Sequence, residues 1–306
     1  MSEPHNLQTY ATFGVINAFR EVVHALRERN KADNAVAVAL DRIHRDEQRI
    51  ARCLGKPVRQ LDILEIGGGQ QMERARYFGI NNQVTAIDLD VIPCGFDLGS
   101  YLRMFQENGF GRLAKTVGRK LLLVDRGKQV AWEKALGITN LPTPTFIQGD
   151  ICHAIPKSEA YDIVVSWSTF EHLSDPKIAL QNAIRSLRPG GVLYIGIHLY
   201  TSNSGHHDLR AFTGFPLPFW AHLRASTSHL IQPSSYLNEW RLSQWRSLFE
   251  QEAKGCEEFL ESYGSEQDLT SDIRSQLSEY SGEELCTVDA FYVWQKPIAQ
   301  SQFAIK

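Results

Sequence analysis

"LDILEIGGGQ", residues 61–70, is apolar through Ile66 and then breaks into three consecutive glycines just after the acid Glu65. A β-rich run ending in glycine and followed by "QQMERARYFG" (70–79) reads as a strand, a turn and a helix. Such a turn lets a ligand come close to bare backbone, and it aims N–H groups and the positive end of a helix at that ligand. A nucleotide-like cofactor is therefore expected here.

The sequence around the turn repeats this pattern. "QVTAIDLD" (83–90) reads as the next strand, and "TFIQGDI" (145–151), "YDIVVSW" (161–167) and "GGVLYIGIHL" (190–199) are compact apolar runs typical of parallel strands buried on both faces. "DPKIALQNAIRSLRPGG" (175–191) reads as an amphipathic helix stopped by Pro189 and glycines. Alternating strands and helices imply a parallel sheet with right-handed crossovers. Two stretches break the rhythm. More than 50 residues separate "AIDLD" from "TFIQGD", about twice the length a βα unit needs, and 100–137 look helical, as an inserted cap would. Residues 201–235, rich in His, Pro, Phe and Trp, read as a long irregular loop at the edge of a site. Apolar positions at helical spacing over 8–55 predict two or three N-terminal helices, "LNEWRLSQWRSLFEQE" (237–252) another, and "VDAFYVWQKP" (288–297) an aromatic final strand.

Composition narrows the class. With 43% hydrophobic and 22% charged residues over 306 positions, the chain can bury a real core. A net charge of -3 leaves no basic field for a polyphosphate backbone, so nucleic acid is not an expected partner. Five scattered cysteines without a CxxC pair indicate neither a disulfide framework nor a zinc knuckle and fit a reducing cytoplasm. No apolar run approaches the ~20 residues that span a bilayer, and the first residues lack a signal peptide's pattern, so no membrane association is expected.

The glycine turn by itself leaves the cofactor open. Gly67-Gly68-Gly69-Gln70-Gln71-Met72 lacks the third glycine of the dinucleotide fingerprint. Asp88, at the end of the second strand, is placed to accept both hydroxyls of a ribose, which suits a nicotinamide oxidoreductase and a methyltransferase alike. "LEIGGG", "AIDLD", "IQGDI", "YDIVVSWSTFEHLSDP" and "LRPGGVLYI", in that order, resemble the class I S-adenosylmethionine-dependent methyltransferases, in particular their small-molecule, type 11-like branch. The resemblance covers residues 60–200 in detail and the rest more loosely.

It implies a Rossmann-like, doubly wound α/β fold: a seven-stranded sheet with an antiparallel last strand, a helical N-terminal segment (1–58) serving as lid or dimer contact, and insertions at about 91–144 and 200–235 in a domain spanning 59–306. It implies S-adenosyl-L-methionine as cofactor and a small molecule as substrate. By the same resemblance Glu65 orders the turn, and Gly67, Gly68 and Gly69 face the methionine part. Asp88 holds the ribose with Leu89 against the adenine, Asp150 accepts from the adenine amino group with Ile151 on the ring, and Ser166 and Trp167 line the methyl-transfer side.

Methyl transfer from a sulfonium mainly demands alignment and desolvation of the acceptor; a base is needed only where the acceptor carries a proton. His198, His172 and His207 are the candidates, at or beyond the C-terminal ends of the fourth and fifth strands. The Asn/Asp-Pro-Pro-aromatic signature of amide and exocyclic nitrogen methylation is missing after strand four, which disfavours DNA and amide targets; a hydroxyl acceptor is expected, with aliphatic nitrogen or an activated carbon still open. A metal is not expected. Some quinone-pathway relatives hold a divalent ion through an acid-x-x-Glu-His pattern, and here Ser168 replaces its first acid; Glu171, His172, His207 and Asp208 could still assemble a site, but no ligand spacing demands one. Basic residues of the cap (Arg112, Lys115, Arg119, Lys120, Arg126, Lys128) and the aromatic residues Phe212, Phe215, Phe219 and Trp220 are candidates for acceptor recognition.

Overall fold

A computed structural model describes residues 32–69, 71–89 and 124–298, with the side chains of 124, 125, 212 and 213 excepted. The expected helices over 8–31, most of the cap, and four of its basic residues (Arg112, Lys115, Arg119, Lys120) lie outside the described residues.

The described residues begin in one long helix, α1 (Ala32–Leu54), with Val36, Ile43 and Ile50 buried seven residues apart on one stripe. The opening stretch is β1 (Asp62–Ile66), followed by the short helix α2 (Glu73–Phe78) and β2 (Gln83–Asp88). Helix α3 (Val124–Leu136) is the described part of the cap, and β3 (Thr145–Gln148) and β4 (Tyr161–Trp167) come next. Helix α4 (Pro176–Ser186) leads into β5 (Leu187–His198). Beyond the long loop are α5 (Leu242–Glu252), β6 (Glu257–Glu261), the short helices α6 (Ser271–Gln276) and α7 (Gly282–Cys286), and β7 (Asp289–Gln295). The strands form one sheet in the order β3-β2-β1-β4-β5-β7-β6. Strands β1 to β5 pair in parallel, whereas β7 runs antiparallel to both β5 and β6. This is the doubly wound sheet with an antiparallel last strand.

Successive strand residues face opposite sides, so each central strand feeds two cores. Leu64, Ile66, Val164, Leu193 and Ile195 pack beneath α4 and α5 with Trp245 and Phe249. Ile63, Ile163, Val165, Val192 and Tyr194 pack beneath α1 and α2 with Phe78, and Trp132 of α3 joins them. Each buried aliphatic side chain contributes roughly 1.5–3 kcal/mol, so α1 belongs to the core of the domain.

Three details depart from the sequence reading. Helix α4 starts on the Asp175 cap, whose side chain accepts from Ile178 N, but it ends at Ser186. Residues 187–191, read as the helix stop, instead begin β5. Gly191 explains why: a Cβ there would lie 2.9 Å from the carbonyl oxygen of Asp162, so only glycine lets the strand pair this closely. Helix α5 starts five residues later than expected, at Leu242. The seventh strand, "EEFLE", escaped notice because it is an acidic edge strand; Glu257 pairs with Arg52, Glu258 with Arg246 and Glu261 with Arg45 and Arg49. The 201–235 stretch is the irregular loop expected, with 3-10 turns at Leu209–Thr213, Ala221–Leu223 and Ser228–Leu230.

Candidate functional site

The glycine turn sits at the C-terminal edge of the sheet. Gly67 (φ 75°) and Gly69 (φ 62°) both adopt left-handed backbone, which side chains disfavour. Gly67 N–H donates to the Ile87 carbonyl (2.8 Å) and Gly69 N–H to Asp88 Oδ2 (3.0 Å), so β2 holds the turn open. What approaches Gly67 is the chain itself: a Cβ there would lie 2.0 Å from Thr169 Oγ1. At Gly69 nothing lies within 4 Å of the same position. The triple glycine therefore answers two demands, packing against Thr169 at one end and a turn opening on free space at the other.

That space is a cavity of about 520 Å³, walled on the sheet side by Glu65, Gly67, Gly68, Gly69, Trp167 and Ser168, and on the other by Ala35, Val38, Ala39 and Arg42 of α1. A smaller recess of about 120 Å³ shares Arg42, Arg74, Trp167 and Ser168 with it and adds Asp46, Gly196, Glu261 and Asp289. The two lie side by side, with Trp167 in the wall of both.

Glu65 is buried, and its Oε2 has no hydrogen-bond partner. Burial pushes its carboxyl up to about 7, against the pull of Arg74. Trp167 is clamped from two sides. Its Nε1–H donates to Asp46 Oδ2 at 2.8 Å, and the Arg74 guanidinium lies 4.6 Å over its ring. Asp46 also accepts from the Tyr194 hydroxyl, and burial raises its pKa against these hydrogen bonds. Asp46 and Arg74 were not expected at the site. The signal for Asp46 was there to read: it is an acid three residues after Ile43 and four before Ile50, on the buried stripe of α1.

The other cofactor candidates fall outside these linings. Asp88 ends β2 with its carboxylate on the turn. Leu89 beside it is 44% exposed. Asp150 accepts from Cys152 N (2.8 Å) and pairs with His153 Nδ1 (2.7 Å). Ile151 packs into the core, and the buried Ser166 hydroxyl donates to the Ile66 carbonyl (2.9 Å), tying β4 to β1. The acceptor candidates divide as well. Trp220 is wholly buried against Ile273, Leu277 and Leu285, while Phe215 and Phe219 are exposed. Lys128 pairs with Glu73 (2.5 Å).

The three candidate histidines come together. His198 ends β5, where its Nδ1 meets Asp289 Oδ1 (3.0 Å) across the β5/β7 pair and its Nε2 meets Ser204 Oγ (2.9 Å). The His207 ring lies 5.0 Å from that of His198 and 4.7 Å from that of His172, edge to face. Glu171 lies beneath them, accepting from His198 N (3.3 Å) through Oε1, with Oε2 unpartnered. Burial pushes Glu171 up to about 8 and lowers His172. Burial, then the neighbouring His198 and His172, brings His207 down to about 2. For His198 burial works the same way, but the Asp289 carboxylate outweighs it and raises the ring's pKa. Asp208 is occupied by Arg210 (2.5 Å) and the Gln232 amide.

The family model of the methyltransferase domain matches residues 38–259, which decides between the two cofactor classes the turn left open. No curated protein matches the chain. Among solved structures, the Haemonchus contortus phosphoethanolamine N-methyltransferase 2, in complex with phosphomonomethylethanolamine and S-adenosylhomocysteine, aligns at 15% identity and a TM-score of 0.45, over 91% of this chain and 60% of that one. An N-methyltransferase from Bradyrhizobium japonicum aligns at 14% and 0.41, over 85% and 96%. An S-adenosylmethionine-dependent methyltransferase from Mesorhizobium loti aligns at 11% and 0.39, over 78% and 92%. None of these likenesses speaks to the acceptor. Among the described residues no helix is long and apolar enough to cross a membrane.

Proposed function

The chain belongs to the methyltransferase-domain family, and we propose that it moves the methyl group of S-adenosyl-L-methionine onto a hydroxyl of a small molecule. One observation carries this reading: the cavity beside the glycine turn shares the wall residues Trp167 and Ser168 with a recess that is also lined by Asp289, the carboxylate that holds His198. We take these as cofactor and acceptor spaces on the two sides of Trp167, with Asp289 in the acceptor wall and His198 bonded to it.

The residues present fit the cofactor. The unpartnered, buried Glu65 Oε2 faces a space where a cationic amino-acid end is welcome, and Gly69 leaves that space clear. Asp88 and Leu89, at the next strand end, are the groups for the nucleoside. The bound sulfonium supplies an activated methyl group with a good leaving group behind it. The protein's own work is then positioning and proton removal. Trp167, fixed by Asp46 and Arg74, sets the partition between the two spaces, and α1 shuts water out from above. His198, oriented by Asp289, takes the acceptor's proton, and the exposed Ser204 on its Nε2 connects the ring to solvent.

Two measurements test this. Calorimetry should show Asp88→Ala weakening S-adenosylmethionine binding by about 1–3 kcal/mol, the scale of lost charge-assisted hydrogen bonds; unchanged affinity counts against the cofactor assignment. With a labelled-methyl screen of hydroxylated small molecules in hand, His198→Ala should lower turnover roughly 100-fold while sparing cofactor affinity. A nitrogen or carbon acceptor that needs no base would leave turnover intact.

A further inference from the structure

We propose that Glu171, His172 and His207 form a binding site for one late first-row divalent metal ion, with zinc the first expectation. One ligand atom from each residue lies within 4.8 Å of the other two. Zinc bonds of roughly 2.0 Å in a tetrahedral arrangement require ligand separations of roughly 3.3 Å, so side-chain rotations of about 1 Å close the set. The site is independent of which acceptor the enzyme methylates.

Two ligand atoms are already waiting. Glu171 is 2% exposed, and its Oε2 has no partner although its Oε1 does. His207 Nε2 is likewise buried and unpartnered. A buried polar atom left unsatisfied keeps its full desolvation cost, which coordination would recover. The third ligand is set by its outer partner. His172 Nδ1 lies 2.8 Å from the Tyr236 carbonyl; a carbonyl only accepts, so Nδ1 carries the proton and Nε2 the lone pair. A histidine fixed in this way by a backbone carbonyl is the usual support of a metal ligand.

The donor set chooses the ion. Two imidazoles and one carboxylate suit zinc, cobalt or ferrous iron. Magnesium and calcium demand oxygen ligands in greater number. The backbone is also arranged around His207. His207 adopts a left-handed φ of 47°, and its carbonyl is held by the Ser234 amide (3.1 Å) and hydroxyl (2.8 Å).

The test uses the full chain, stripped with chelator and re-equilibrated with zinc, cobalt or magnesium. Dialysis with elemental analysis should give one zinc per chain, and the cobalt form should show the intense visible bands of low coordination. Magnesium should not compete. His207→Ala should lower zinc affinity by at least roughly 10- to 100-fold, the scale reached by removing mere outer-shell partners. Glu171→Gln, which keeps shape and burial, should do the same if His207→Ala fails to fold, and His153→Ala, an exposed histidine elsewhere, should change nothing. Less than a tenth of an equivalent of zinc, or full affinity in both His207→Ala and Glu171→Gln, overturns the site. These readouts need no methyl acceptor, so their failure leaves the proposed reaction untouched.

Discussion

The two halves of the sheet's C-terminal edge are built on opposite plans. On the β1/β2 side the working surface is largely backbone: a glycine turn shaped by Thr169 and held by Asp88, with α1 as its roof. On the β4/β5 side it is side chains, Glu171, His172, His198, His207 and Asp289, delivered from three separate parts of the chain. A backbone site follows from one local conformation, so a few adjacent residues announce it. A side-chain site exists only once distant segments have met. Substitutions at the turn's backbone-packed positions should therefore register first as lost folding, and those on the histidine side first as lost chemistry or lost metal.

The sharpest break of that contrast is Gly67→Ala. Left-handed backbone and a Cβ 2.0 Å from Thr169 together should cost about 4 kcal/mol of stability, read by urea denaturation. Adding Thr169→Gly should return part of it. If Gly67→Ala folds normally and loses only cofactor, a ligand rather than Thr169 enforces the glycine.

Next in size is Asp46→Ala, which strands the Trp167 indole N–H and the Tyr194 hydroxyl in the core. A loss of about 3 kcal/mol is expected, with weakened cofactor binding because Trp167 is no longer clamped. A change below 1 kcal/mol would mean that the pair finds other partners.

Glu65 gives a pH signature. Its carboxyl is held near 7 in the fold, against 4.5 when free, so the folded state binds the extra proton between those values. Stability is then greatest below about 4.5 on this account and falls as the pH rises through 7. Glu65→Gln should remove that slope and raise neutral-pH stability by about 2 kcal/mol, provided melting is followed without cofactor. A pH slope identical in the variant would show that Glu65 is ionised throughout.

The smallest effect separates binding from folding. Leu89 is 44% exposed, so Leu89→Ala should alter stability by less than about 0.5 kcal/mol yet weaken S-adenosylmethionine binding by about 1 kcal/mol through lost apolar contact. Unchanged binding would place the adenine elsewhere.

What could be read early follows the same division. The turn at 67–69 and the strand end at Asp88 were legible because a glycine run after an apolar strand has few other uses. Trp167 was legible only through its place at the end of β4; the partners that fix it, Asp46 and Arg74, lie 121 residues away on α1 and at the start of α2. The acidic strand β6 was missed because its partners on α1 and α5, which make its charges affordable at a sheet edge, are invisible locally. Glu171, His172, His207 and Asp208 are legible in the sequence as a possible ligand set, but Ser168 in place of an acid argues against a metal and no spacing demands one; only the fold shows that Asp208 is taken by Arg210 while the other three face one another.

The sequence by itself determined the alternation of strands and helices, the glycine turn and the sheet edge at which a ligand binds, because periods of 2 and 3.6 and the steric freedom of glycine are local properties. Tertiary structure alone decided that Thr169 fills the space beside Gly67, that Asp46 locks Trp167, and that Glu171, His172 and His207 face one another. Those facts depend on which surfaces are buried together, and burial is settled only when the whole sheet has closed.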